Sequence, residues 1–225
     1  MEMIDTTRNF IFTGFSSPSI PVGTMYCIGR NYAAHAREMG ADVPTSPLVF
    51  IKPPAAYVPD GQRVKIPKLS ENMHHELELV VVIGKDGDSI SPASALEYVA
   101  GYAVGIDFTL RDVQSKAKQK GEPWAVSKGF FGSAPISVVV PAQLLPNPNS
   151  TTLELRVNDQ LRQSADTSMM ERTVEELIAY VSSIFTLRRG DCIFTGTPEG
   201  VAEVRSGDII TCSLGELTSL TVTIE

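Results

Sequence analysis

The stretch of this chain richest in chemistry is HHELELVVVIG, from His74 to Gly84. Side chains alternate across a strand, so Glu76 and Glu78 share one face while Leu77 and Leu79 take the other, before the run turns apolar through Val80, Val81, Val82 and Ile83. Alternate positions lie about 7 Å apart at their Cα atoms, a gap that two glutamates can close onto a common point. Carboxylates left alone beside a core repel, and each costs several kcal/mol of desolvation, so a cation is expected between them. A second apolar segment, Tyr102 to Ile106, ends in Asp107. Three carboxylates arriving from two apolar strands make an all-oxygen site for a hard divalent ion: Mg²⁺ or Mn²⁺ first, Ca²⁺ behind them, with positions open for water or substrate. The competing reading is a half-exposed strand with solvated acids.

Other groups could act beside such an ion. His35 and Glu38 stand three apart on a predicted helix, Asn31 to Met39, and are neighbours on its surface. A carboxylate that fixes the imidazole tautomer and stabilises the imidazolium makes a general base; a solvated polar face is the alternative. Lys128 lies between Trp124–Val126 and the pair Phe130 and Phe131, where its ammonium needs an anion or a substrate oxygen unless it snorkels to water. The loop TGTPEG, Thr195 to Gly200, lacks the Lys-Ser/Thr ending of a nucleotide P-loop, which argues against ATP or GTP. Its glycines could offer backbone N–H groups, with the Thr197 hydroxyl, to a small anion such as a carboxylate, or simply turn a hairpin.

Elements to position these groups can be read around them. Met25 to Ile28 reads as a strand, and Gly40 ends the helix that carries His35. A short strand, Leu48 to Lys52, is stopped by Pro53 and Pro54, and Val64 to Ile66 reads as an edge strand. Ser91 and Pro92 suit the cap and first position of a helix running to about Ala100. RDVQSKAKQK, Arg111 to Lys120, reads as a helix closed by Gly121, with Arg111 and Gln114 on one face near Asp107 and its lysines on a solvated face. Pro141 to Asn149 is a surface connection to a hairpin that turns at Asn158 and Asp159. Thr173 with Glu176 forms a capping box for a helix whose stripe is Val174, Leu177, Ile178 and Val181. The C-terminal part is β-rich: Cys192 to Phe194, Ile209 to Cys212, and a last strand near Leu220 to Ile224.

The 225 residues suffice for one substantial core, and no linker divides them. A net charge of -7 argues against nucleic acid as a partner. The N-terminus, MEMIDTTRNFIF, with a short apolar opening around Phe10 to Phe15, has acids where a signal peptide needs cations, and no apolar run approaches the roughly 20 residues of a membrane span. A soluble, cytosolic protein is expected. Cys27, Cys192 and Cys212 are scattered in apolar surroundings and read as reduced core residues, with no Cys-x-x-Cys pair for zinc or redox work.

Five blocks, CIGRNYAAHAREMG, HHELELVVVIGK, GYAVGIDFTLRDVQ, PWAVSKGF and FTGTPEGV, together and in this order resemble the fumarylacetoacetate hydrolase family, closest to its small acylpyruvase and oxaloacetate-decarboxylase branch. The resemblance covers residues 22–225 as one catalytic domain and leaves an N-terminal segment, 1–21, undefined. It implies an α+β fold, a mixed β-sandwich or β-roll with peripheral helices, a homodimer, and Mg²⁺ or Mn²⁺ held by Glu76, Glu78 and Asp107. It implies that His35 and Glu38 are a water-activating dyad, that Lys128 is the active-site lysine, and that Arg111, Gln114 and Thr197 contact substrate. The activity implied is metal-dependent hydrolysis of the C–C bond of an acylpyruvate, of acetylpyruvate or fumarylpyruvate type, to pyruvate and a carboxylic acid. Oxaloacetate decarboxylation is the alternative, beside the isomerases and decarboxylases of aromatic degradation and, more remotely, a cation-binding protein without turnover.

Overall fold

The computed structural model describes residues 8–14 and 19–225. An eight-stranded mixed sheet and a five-stranded sheet pack around the larger of two apolar clusters, and a three-stranded sheet sits at one end. The large sheet runs in the spatial order Leu48–Lys52, Met25–Gly29, Cys192–Phe194, Leu77–Ile83, Val99–Ile106, Ala134–Ile136 and Tyr57–Pro59, with Val140–Pro141 beside Val99–Ile106. The five-stranded sheet is Gln160–Asp166, Thr152–Val157, Ile209–Leu214, Thr218–Ile224 and Arg63–Val64.

The strand Leu77–Ile83 is buried along its whole length because it lies between two apolar layers. Leu77, Leu79, Val81 and Ile83 face the cluster shared with the five-stranded sheet, and Val80 and Val82 face a smaller cluster on the far side. Both faces of the strand are covered, which is why its sequence reads as a continuous apolar run. Glu78 points to the far side with Val80 and Val82, at the edge of that second cluster. Opposite it in the ladder is Gly105, and a Cβ there would press on Val80 and on the Phe194 ring.

Several predicted elements fall where expected. The helix Arg111–Lys120 ends on Gly121 at φ 69°, the left-handed stop that glycine permits. The capping box of Thr173 and Glu176 is formed in both directions, and its helix, Val174–Ile184, buries Val174, Leu177, Ile178 and Val181. Asn158 and Asp159 turn the hairpin at φ 49° and 63°. Others differ. The helix carrying His35 is only Ala33–Glu38, since Asn31 is held outside it by tertiary bonds. Pro92–Tyr98 is a 3-10 helix rather than an α-helix, and Ser91 caps nothing with its side chain. Strand Ala202–Val204, absent from the sequence reading, pairs with Met73–His75. In the opening apolar segment Phe10 is buried and Asn9–Phe10 pairs with Ile20–Pro21, while Phe15 lies outside the described residues. All three cysteines are free and buried.

Candidate active site

The expectation of one unbroken glutamate strand is corrected at Glu76. Met73–His75 belongs to the three-stranded sheet, Leu77–Ile83 to the eight-stranded one, and Glu76 falls between them as the chain passes from one to the other. Its carbonyl accepts the N–H of Asp107 at 2.8 Å, which ties the ends of the two acid-bearing segments together. The carboxylates still converge: one oxygen each from Glu76, Glu78 and Asp107 lie within 4.8 Å of one another, and all three residues are buried.

The cations around them are unevenly shared. Lys128 sits at the end of a short helix, Ala125–Lys128, and its Nζ donates to Glu76 Oε2 at 2.7 Å, Asp107 Oδ2 at 2.6 Å and Thr109 Oγ1 at 2.6 Å. Arg111, at the start of its helix, pairs with Glu76 Oε1 and donates to Gln114 Oε1 at 2.8 Å. Lys52 is fully buried; its Nζ lies 2.8 Å from Asp107 Oδ1 and donates to the carbonyls of Ser133 at 3.0 Å, Phe108 at 3.2 Å and Lys128. Among the described residues Glu78 forms no ion pair. Its contact is the N–H of Gly196, 2.7 Å from Oε2.

The electrostatics follow from this distribution. Burial alone would raise the Glu76 carboxyl, but Lys128 and then Arg111 reverse that and hold it well below the usual range. Burial raises Glu78 well above that range, and the Asp107 and Glu76 charges add to it. Burial opposes the charge on Lys128, but Asp107 and Glu76 outweigh it and raise the ammonium. A buried acid beside two others, short of a cation and presenting hard oxygens, matches what a divalent ion requires. The residues present fit such an ion.

His35 Nδ1 lies 3.1 Å from Glu38 Oε2, which leaves Nε2 as the free ring nitrogen. His35 lines one small cavity with Glu76, Glu78, Arg111, Gln114, Lys128 and Thr197. Every sequence-predicted site residue except Glu38 therefore faces that cavity or, for Asp107, joins the acid cluster behind it. Phe50 and Trp124 form part of its wall, and the Phe50 ring centroid is 4.7 Å from Lys128 Nζ.

The TGTPEG loop works differently from the expectation that its N–H groups meet a ligand. Gly196, at φ 100°, gives its N–H to Glu78, and Gly200, at φ 94°, gives its N–H to Glu38 Oε1 at 3.0 Å. A side chain at 196 would strike Asn31, and one at 200 would strike the Arg162 carbonyl, so both glycines are obligatory. The loop thus orients one carboxylate of the acid cluster, Glu78, and the Glu38 carboxylate together. Thr197 alone of its polar side chains reaches the cavity.

Three further residues went unseen in the sequence. Lys52 closes LVFIK, where a lysine at the inward end of an apolar strand was the available signal. Gln163, buried in the strand Gln160–Asp166, receives N–H from Leu77 at 3.0 Å and gives hydrogen bonds to Thr197 Oγ1 at 2.8 Å and Pro198 O at 2.9 Å. Lys118 is exposed, as a solvated face requires, yet it also lines the rim of the cavity with its ammonium 5.1 Å from the Trp124 ring centroid, a role the sequence did not show.

Residues 24–225 match the model of the fumarylacetoacetate hydrolase C-terminal domain. The chain belongs to the fumarylacetoacetate hydrolase family. Among its relatives, the mitochondrial oxaloacetate tautomerase FAHD1 of Bos taurus is 46% identical over 199 residues, which is 88% of this chain and 90% of that protein. A mitochondrial oxaloacetate decarboxylase of Dictyostelium discoideum is 45% identical over 83% of this chain and 86% of its own. The crystal structure of fumarylpyruvate hydrolase from Pseudomonas aeruginosa, in complex with Mn²⁺ and pyruvate, superposes with a TM-score of 0.94 at 40% identity, covering 100% of this chain and 98% of that one. The expected α+β family fold is therefore observed, and the chain is an enzyme of this family. No helix among the described residues is long and apolar enough to cross a membrane.

Proposed function

We propose that this protein is a divalent-metal enzyme of oxaloacetate chemistry, interconverting the enol and keto forms and releasing CO₂ from the same activated substrate. The reading rests on one observation: His35, backed by Glu38, lines the same small cavity as the acid cluster, so a proton can be moved at the carbon beside a 2-oxo group bound there. Two oxaloacetate enzymes at 45–46% identity over most of the chain favour that substrate.

Glu76, Glu78 and Asp107 would hold Mg²⁺ or Mn²⁺, which when bound supplies a Lewis acid for the oxygen that gains charge. His35 Nε2 takes the proton from C3 of the keto form and passes it to the oxygen on C2, or carries it the other way for the enol, while Glu38 keeps the imidazole in the Nδ1–H tautomer and steadies its charge. Lys128 places a fixed positive charge beside Glu76 and Asp107 and thereby lowers the cost of negative charge on the neighbouring substrate oxygen. Arg111 and Gln114, locked to one another, and the Thr197 hydroxyl offer donors to the substrate carboxylate. Phe50 and Trp124 limit water on the other side of the cavity.

Hydrolysis of an acylpyruvate is the second reading, favoured by the dyad, which could equally deprotonate a water, and by the likeness to fumarylpyruvate hydrolase. Parallel assays separate the two. Enol-to-keto conversion and pyruvate release from oxaloacetate, acetylpyruvate and fumarylpyruvate are followed after chelation and after restoring Mg²⁺ or Mn²⁺. Metal-dependent action on oxaloacetate is expected; pyruvate release from acylpyruvates alone would replace the first reading with the second.

A homodimer belongs to the same proposal. Leu48–Lys52 is the edge strand of the large sheet, with Ile51 45% exposed, and the exposed Val126 lies on the helix that packs against it. An apolar open edge of this kind calls for a partner.

A further inference from the structure

Oxaloacetate has a second carboxylate, and one wall of the cavity is basic beyond what the acid cluster needs. Arg30, Arg111 and Lys118 all line it. Arg111 pairs with Glu76 and Gln114, and its remaining donor capacity is assigned above to the carboxylate beside the 2-oxo group. Arg30 and Lys118 form no ion pair among the described residues. A guanidinium and an ammonium that line one cavity without an ion pair of their own, its carboxylates Glu76 and Glu78 being engaged by Lys128, Arg111 and Gly196, can each take a further anion.

Each is also held in place. Arg30 has φ 61°, a left-handed conformation that residues other than glycine rarely adopt. The following residue fixes it there: buried Asn31 donates from Nδ2 to Thr195 O at 2.8 Å and Arg172 O at 3.1 Å, and its Oδ1 accepts from Arg172 N at 3.0 Å. Backbone strain that the surroundings enforce is typical of positions whose side chain has a task. Lys118 lies over the Trp124 ring, a contact that restrains a side chain otherwise free to sample solvent. Burial, then Arg111, then Arg30 hold its ammonium below the ordinary lysine range, which places the three cations within electrostatic reach of one another.

We propose that Arg30 and Lys118 form a subsite for the distal carboxylate of a 2-oxo dicarboxylate, so that they select dicarboxylates over monocarboxylates. This rests on the oxo-acid reading above and deepens it. The carboxylate beside the 2-oxo group belongs at the acid-cluster end with Arg111 and Thr197, and the far carboxylate reaches the Arg30 and Lys118 wall.

The test compares oxaloacetate with acetylpyruvate, which lacks a distal carboxylate, on the metal-loaded wild type and on Arg30→Asn and Lys118→Gln. Asparagine tolerates the left-handed backbone, and glutamine keeps a stem to lie on Trp124. The ratio of kcat/KM for oxaloacetate over acetylpyruvate should fall roughly tenfold in Arg30→Asn, the worth of one charge-assisted hydrogen bond. In the more exposed Lys118→Gln it should fall roughly threefold. An unchanged ratio in both variants overturns the subsite. Calorimetric binding of oxaloacetate and pyruvate to the same proteins stripped of metal reads the subsite without turnover. A wild-type preference for oxaloacetate that both variants lose supports the subsite even where the catalytic reading has failed; equal affinities in the wild type overturn it.

Discussion

Gln163 decides what the Thr197 hydroxyl can do. The N–H of Leu77 can only donate and the carbonyl of Pro198 can only accept, so the amide has one orientation, with Oε1 toward Leu77 and Nε2 toward Pro198. His75 Nδ1, 2.9 Å from Oε1, must then carry a hydrogen, and Thr197 Oγ1 must accept from Nε2. The hydroxyl hydrogen is left for a substrate oxygen in the cavity, its competing acceptor being the Pro198 carbonyl at a long 3.4 Å. Gln163→Leu strands several buried polar groups at once and should cost about 3 kcal/mol in urea denaturation, at 1–3 kcal/mol for each group left unmet. Gln163→Glu, which cannot donate to Thr197, should turn that hydroxyl inward and raise KM for oxo acids, read in steady-state kinetics. His35→Ala tests the dyad at the same scale. Tautomerisation should fall by about 10²–10⁴, the usual worth of a positioned acid–base group, while decarboxylation falls much less, because its C–C cleavage removes no proton from C3 and the enol of pyruvate it leaves can take its C3 proton from water. Equal losses in the two assays would remove the proton-moving role.

At the scale of elements, the site depends on where chain segments stop. The helix Arg111–Lys120 begins immediately after the strand pair Thr109–Leu110, so Arg111 reaches back to Glu76 while Gln114, one turn on, reaches Arg111. Asp112 anchors this start by accepting from Ser70 Oγ at 2.6 Å and from the backbone of Glu71 and Val113. Burial works against its charge, but these hydrogen bonds prevail and its carboxyl lies below the usual range. A depressed carboxyl stabilises the folded state above the pKa of the unfolded chain and loses that contribution as pH falls through the folded value. Asp112→Asn should therefore lower Tm at neutral pH, and thermal melts of the two proteins should converge on acidification.

Much of this element scale was legible beforehand. The Arg111 to Lys120 helix, the capping box at Thr173 and the Asn158–Asp159 turn are local chemistry, and the three acids were visible as charges in apolar company. What stayed hidden depends on distant contacts. Nothing within VVVIG or HHE marks the change of sheet at Glu76, because it is set by pairing with Thr109–Leu110 and Ala202–Val204. Lys52 and Gln163 were unreadable for the same reason, since their partners lie 55 and 34 residues away at Asp107 and Thr197. Lys118 read as solvated and is exposed, and its place at the rim of the cavity depends on Trp124, which lies on a different element.

At the scale of the molecule, the metal site proposed at the acid cluster would tie stability to metal content. An ion at about 100 times its Kd stabilises the fold by about 2.7 kcal/mol, so chelation should lower Tm and restored Mg²⁺ or Mn²⁺ should recover it. Glu78→Gln removes the acid without a cation partner and should reverse the sign, with an apo form melting above wild-type apo and little further gain on adding metal. Sedimentation should show a dimer, and Val126→Glu should drive it toward monomer if the Leu48–Lys52 edge is the contact.

The hydrogen bond from the Asp107 amide to the Glu76 carbonyl has one more consequence. It crosses the seam where the chain passes between sheets, and it lies on the backbone of two residues whose side chains would share one ion. That amide is a built-in gauge of the seam. In deuterium exchange it should be among the slowest protons of the loaded protein and should accelerate on chelation, together with Leu77, whose N–H rests on Gln163. Amides in the middle of Ile209–Leu214, remote from the ion, should keep their rates.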